Sequence, residues 1–250
     1  MAEFRRRTDP LDLTETPVIY EDTVIGWYEA ISNKIQKKRD LRSVSQTFHW
    51  NENWIAVVPL QEDSDSLLSR LSFKERYLPV IERMSENRKR EWLAIRVLLK
   101  ELLGEEKEIL YNSLGKPYLS DNSFHISISH TKGYAALILN KEKEVAIDIE
   151  KISAKVEKVR KRFVSEEEEK ALSPSGELVH LLLYWSAKES LFKMLGVENV
   201  SFKSDLHILP FEPRRGEWSE FEAYETRTSY QNPYTVKYFV HEDYVLTCIS

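Results

Sequence analysis

Val145-Ala146-Ile147-Asp148-Ile149-Glu150 has the two-residue period of an extended strand. Val145, Ile147 and Ile149 fall on one face, and Asp148 and Glu150 share the other. Two carboxylates so placed repel each other and favour each other's protonation, unless a cation lies between them or open water surrounds them. Taken alone, the alternation also describes a half-buried edge strand that carries acids for solubility. Upstream, residues 124–129 alternate in the same way, and residues 134–139 are a short apolar run. The turns Thr131-Lys132-Gly133 and Asn140-Lys141-Glu142-Lys143 separate the three runs, so the simplest arrangement is an antiparallel meander. Ser129 and His130 then end its first strand, and Asp148 and Glu150 end its third.

Further from this centre, residues 54–60 read as a strand closed by an acidic, serine-rich turn. Residues 67–103 turn helical, with Trp92, Ile95, Leu99 and Leu102 as an apolar stripe and Gly104 as the stop. Arg88, Lys89 and Arg90 crowd the turn before the stripe and Arg96 sits beside it, the pattern of an amphipathic helix with a solvated basic flank. Ser113-Leu114-Gly115-Lys116-Pro117-Tyr118 is a turn by composition and presents Lys116 on a short, stiff loop. Residues 1–45 give a possible strand at 23–27 and a basic run at 34–39 that reads as solvated surface.

Downstream, residues 153–162 read as a helix, and Ser165 with Glu168 has the form of a capping box, which accounts for Glu168 structurally. Residues 177–195 form a long helix ending at Gly196. Leu178, Leu181, Leu182, Trp185, Phe192 and Leu195 make its stripe, yet Lys188 and Glu189 fall inside that stripe and Lys193 at its edge. Charges on an apolar stripe are costly unless they are paired or form a site. Glu189 and Lys193 have the favourable i, i+4 order, worth a few tenths of a kcal/mol, but that does not explain their side of the helix. Short strands are expected within 201–209, 217–226 and 235–249, with His207 and His241 in structural or surface roles.

Hydrophobic residues at 42% and aromatics at 11% are too rich for a disordered chain, and 250 residues suffice for one large domain or two smaller ones. A net charge of −5 gives no reason to expect nucleic acid. The single cysteine, Cys248, rules out an internal disulfide and fits a reducing compartment. Arg5-Arg6-Arg7 is followed by Thr8, Asp9 and Pro10 rather than an apolar run, and no stretch is long and apolar enough to span a bilayer, so a cytoplasmic protein without membrane partners is expected. None of the 7 glycines forms a Gly-x-Gly-x-x-Gly or Gly-x-x-x-x-Gly-Lys loop, so a bound phosphate must be held mainly by side chains and a metal.

In order, the chain carries Gly115-Lys116-Pro117, Ile128-Ser129-His130-Thr131, Ile147-Asp148-Ile149-Glu150, Arg162-Phe163-Val164-Ser165 with Glu168, and Trp185-Ser186-Ala187-Lys188-Glu189-Ser190-Leu191-Phe192-Lys193. This order and spacing resemble the 4'-phosphopantetheinyl transferases, in particular the larger pseudodimeric, surfactin-synthetase-activating type. The resemblance covers residues 54–203 and is specific between Gly115 and Gly196. It implies transfer of the phosphopantetheine arm of coenzyme A to a serine of an apo acyl or peptidyl carrier protein, with Mg²⁺, releasing adenosine 3',5'-bisphosphate. By the same resemblance Asp148 and Glu150 are metal ligands, and Glu189 is a third ligand or the base that takes the serine proton. Glu168 is the other acid that could be the base. Lys193 meets the phosphates, Lys188 does the same or supports the fold, and Lys116, Ser129 and His130 hold the 3'-phosphate and adenosine end. Arg90 and Arg96 are candidate cations from the first half.

The resemblance implies an α+β fold of two similar halves related by a pseudo-twofold axis, each a small antiparallel sheet packed with helices. Residues 1–50 stand as an extension without a counterpart, 51–120 as the N-terminal half and 121–250 as the C-terminal half carrying the metal site. Coenzyme A would lie between the halves of a monomer. Ala146 stands where the family usually has glycine. Two other classes compete: a non-catalytic coenzyme A or carrier-protein binding module, and a metal-dependent nuclease or phosphatase using Asp148 and Glu150. Against the second, Lys151 directly follows Glu150 and so points to the opposite strand face from it.

Overall fold

Two antiparallel sheets, each with a long helix, organise the described residues of the computed structural model: 46–50, 52–172, 177–229 and 233–250. The expected strand at 23–27 and basic run at 34–39 lie outside them. The first sheet has the order β1-β2-β6-β5, from β1 (Gln46–Trp50), β2 (Asn53–Pro59), β5 (His125–Thr131) and β6 (Tyr134–Asn140). Helices α1 (Ser64–Ser69), α2 (Lys74–Ile81) and α3 (Glu86–Leu103) follow β2, and the hairpin β3 (Ile109–Tyr111)–β4 (Pro117–Leu119) precedes β5. The second sheet has the order β7-β11-β10-β9-β8, from β7 (Ala146–Lys151), β8 (Leu206–Ile208), β9 (Trp218–Glu225), β10 (Tyr234–Val240) and β11 (Tyr244–Ile249). Between β7 and β8 come a 3₁₀ helix (Ala154–Arg162), α4 (Glu166–Ala171) and α5 (Glu177–Leu195). This is the mixed α+β architecture with antiparallel sheets that was expected.

The meander needs correcting. β5 and β6 pair as a hairpin, with Ser129 opposite Ala136, but β7 joins β11 instead, with Asp148 opposite Thr247 and Glu150 opposite Val245. The inner edge of β6 is taken by β2. β5 and β7 still run side by side, stitched through side chains: Ser127 Oγ accepts the Ile147 N–H at 3.2 Å and Thr131 Oγ1 accepts the Lys151 N–H at 3.1 Å. The polar face of β5 thus takes over part of a backbone ladder, because buried N–H groups need acceptors. The interval 235–249, a candidate for short strands, holds most of β10 and all of β11, divided by a turn that carries His241 stacked on Tyr244.

Val145, Ile147 and Ile149 lie in one apolar cluster with Ile55, Val57, Ala136 and Ile138 of the first sheet and Leu246 and Cys248 of β11. β1 caps that cluster, as Phe48 meets Trp218 edge-on at 5.1 Å and Phe239 at 5.5 Å. The last residues of the expected extension are therefore an edge strand of the first sheet. α3 buries its stripe and stops at Gly104, whose φ of 77° suits a residue without Cβ. α5 departs from the stripe reading. Leu183, Tyr184, Ala187 and Leu191, off the stripe, are fully buried, while Phe192, on it, is exposed. A helix packed on most of its surface has no single apolar face to read.

Candidate functional site

α5 meets β7 through residues four apart on the helix and two apart on the strand. Trp185, Glu189 and Lys193 stack one turn above another. Trp185 Nε1 donates to Glu150 Oε1 at 2.7 Å, and Lys193 Nζ donates to Asp148 Oδ1 at 2.8 Å, so helix and strand run in opposite senses here. Glu189 stands between them on α5, close enough that the charge of Asp148 acts on it. Lys193 Nζ also donates to Ile147 O at 2.9 Å and Ser129 Oγ at 3.1 Å, and Ser129 Oγ donates to Asp148 Oδ1 at 2.8 Å. Strand β5, strand β7 and helix α5 thus bring Ser129, Asp148, Glu150, Glu189 and Lys193 together.

The electrostatics are unbalanced towards negative charge. Burial raises Glu150 and Glu189 to about 7, and the carboxylate of Asp148 adds to the shift in both. Lys193 opposes the shift in each. Asp148 is buried, and its Oδ2 has no hydrogen-bond partner. An orphaned carboxylate oxygen beside two acids is a donor set that suits a hard cation. Among the described residues, no group of three His, Cys, Asp or Glu side chains is arranged to hold a metal ion unaided. Mg²⁺ is commonly held by one or two carboxylates with substrate phosphates and water completing it, and Asp148 with Glu150 fits that description.

The other expected residues fall in separate places. Glu168 is buried and committed to the fold: Oε2 accepts the Ser165 N–H at 2.8 Å, closing the capping box, and Lys188 Nζ at 2.8 Å, while Oε1 accepts the Ile208 N–H at 3.0 Å. Lys188, fully buried, also donates to Phe163 O at 2.6 Å and Phe202 O at 2.9 Å. It supports the fold. Lys116 pairs with Glu144 at 2.6 Å, and Glu144 also faces His125 at 3.2 Å, at the opposite end of β5 from His130. Arg96 is buried against the Trp92 and Tyr77 rings and donates to Trp92 O at 3.0 Å. Arg90 bonds Asn87.

His130 faces Glu91 at 3.1 Å and Arg88 at 3.4 Å, so the first-half cation beside it is Arg88 rather than Arg90 or Arg96. From sequence Arg88 reads only as part of a solvated basic flank and Glu91 has no assigned role, since their pairing with His130 crosses from α3 to β5. Trp185 was legible as part of a motif, and its place one turn before Glu189 was the available signal for its contact. Beside Glu150 and Trp185 opens a cleft of about 440 Å³, lined also by Lys132, Lys151, Lys155 and Val156. Among the described residues no helix is long and apolar enough to cross a membrane.

The family model of the 4'-phosphopantetheinyl transferase superfamily matches residues 144–249, the stretch holding β7, α5 and the second sheet. The 4'-phosphopantetheinyl transferase AcpT of Escherichia coli O157:H7 is 30% identical over 118 residues, covering 44% of this chain and 59% of the relative. AcpT of Salmonella typhi is 31% identical over 115 residues, covering 44% of this chain and 60% of that protein. The aligned part thus spans about three-fifths of these relatives. Asp148, Glu150, Glu189 and Lys193 all lie inside the matched stretch, and it is through residues 144–249 that the chain is similar to the 4'-phosphopantetheinyl transferase superfamily.

Proposed function

We propose that this protein transfers the 4'-phosphopantetheine arm of coenzyme A to a serine of an apo acyl or peptidyl carrier protein. The observation that carries the reading is the α5–β7 cluster: buried acids around an unpartnered Asp148 Oδ2, within the stretch the family model matches. Asp148 and Glu150 are the residues that hold Mg²⁺. When bound, Mg²⁺ supplies neutralisation of the pyrophosphate that is cleaved. The serine oxygen forms a bond to the β-phosphorus, the bond to the adenosine-side phosphate oxygen breaks, and adenosine 3',5'-bisphosphate leaves. Glu189 takes the serine proton, since Glu168 is spent on Ser165, Lys188 and Ile208. Lys193, already oriented by Asp148 and Ser129, holds the phosphates. Ser129, His130 and Arg88 line the same side, and coenzyme A lies where the two halves of the chain meet. The protein works as a cytoplasmic monomer.

The test is incubation with coenzyme A, Mg²⁺ and a panel of apo carrier proteins, each weighed by mass spectrometry. A gain of one phosphopantetheine mass is expected on at least one carrier. Coenzyme A binding without any gain would leave a binding module instead; hydrolysis of coenzyme A or DNA would point to a phosphodiesterase.

A further inference from the structure

Glu150 owes its orientation to Trp185. We propose that Trp185 is a positioning residue for the divalent cation: its indole N–H fixes one oxygen of Glu150 so that the other serves the cation held with Asp148. This rests on the reading above, that Asp148 and Glu150 form the cation site. Trp185 Nε1 donates to Glu150 Oε1 at 2.7 Å, a short charge-assisted bond. The ring has little freedom to leave that position, since it packs edge-on against Phe163 at 5.1 Å and against Phe202 at 5.5 Å. Its other side lines the cleft that Glu150 also borders.

The chemistry of the donor matters as much as its position. An indole N–H donates but cannot accept, and it is neutral. It orients Glu150 without placing a positive charge beside it that would compete with a cation. The neighbouring pair differs, because Lys193 both orients and neutralises Asp148. Groups that orient a ligating carboxylate without touching the metal typically change metal affinity about 10- to 100-fold when removed.

Trp185→Phe keeps the aromatic packing and removes the donor. Replacing Trp185 by 3-benzothienylalanine, the same shape with sulfur in place of N–H, guards against a packing defect. Binding of Mn²⁺ with coenzyme A is read from the loss of the free Mn²⁺ electron paramagnetic resonance signal, against coenzyme A alone. Thermal melting checks that each variant folds. Both changes are expected to weaken Mn²⁺ binding by about tenfold or more with melting nearly unchanged. In a Glu150→Gln background neither should weaken it further. Wild-type affinity in the benzothienyl protein, or an equal loss in the Glu150→Gln background, overturns the role of Trp185 and leaves the cation site standing. No Mn²⁺ uptake by the wild-type protein overturns the cation site and this role with it.

Discussion

The two oxygens of Asp148 have different surroundings: Oδ1 is bonded by Lys193 and Ser129, and Oδ2 is buried with nothing to bond. Asp148→Ala should lower carrier modification by at least about 100-fold while circular dichroism stays native, and retained activity would show that the cation site is elsewhere. Glu150 and Glu189 titrate near 7 in the folded protein, raised by burial first and then by Asp148, against an ordinary value of 4.5. The folded state therefore binds more protons than the unfolded chain between those values, so metal-free stability should fall as pH rises from about 4.5 to about 7. Melting curves at pH 5.5 and 8 with and without Mg²⁺ check this. Mg²⁺ should raise the melting temperature more at pH 8, and a Glu150→Gln/Glu189→Gln protein should lose most of the difference. The two candidate bases separate at this scale too. Glu168→Gln leaves the fully buried Lys188 without its carboxylate and should cost about 3–5 kcal/mol in urea unfolding. Glu189→Gln should lower transfer with little loss of stability.

Those residues were legible to different depths. The period of two around Asp148 and Glu150 was enough to put both acids on one face, and the capping box of Ser165 and Glu168 could be read from their spacing. The ion pair between Glu168 and Lys188 could not, because it joins two helices whose packing no local pattern states. At the scale of elements, α3, β2 and the β5–β6 hairpin follow the sequence reading, with α3 closed by its glycine. α5 was legible as a helix but not as a buried one, since the residues lining its several packed faces leave no period. The seam between β5 and β7 was hidden for another reason: it uses hydroxyls where a ladder would use carbonyls. Ser127→Ala removes the acceptor for the buried Ile147 N–H and should cost about 1–3 kcal/mol, readable as a lower denaturant midpoint with unchanged slope.

Across the whole molecule, alternation along each strand shows which side faces a core but not which strand is the neighbour. β7 chooses β11, about a hundred residues away in sequence, over the nearby β6. Likewise β1 could not be placed from its own residues, although Phe48 packs on Trp218 and Phe239 from the far end of the chain. The seam carries a practical consequence. The stretch recognised by the family model begins at residue 144, just before β7, and leaves β5 behind. Cut out there, β7 would lose Ser127, Ser129 and Thr131 along one flank and Ile55, Val57, Ala136 and Ile138 over its apolar face. The matched stretch is therefore not expected to fold on its own: an isolated 144–249 fragment should present an uncovered strand edge to other copies of itself and sediment as aggregate in analytical ultracentrifugation, where a folded monomer would refute this.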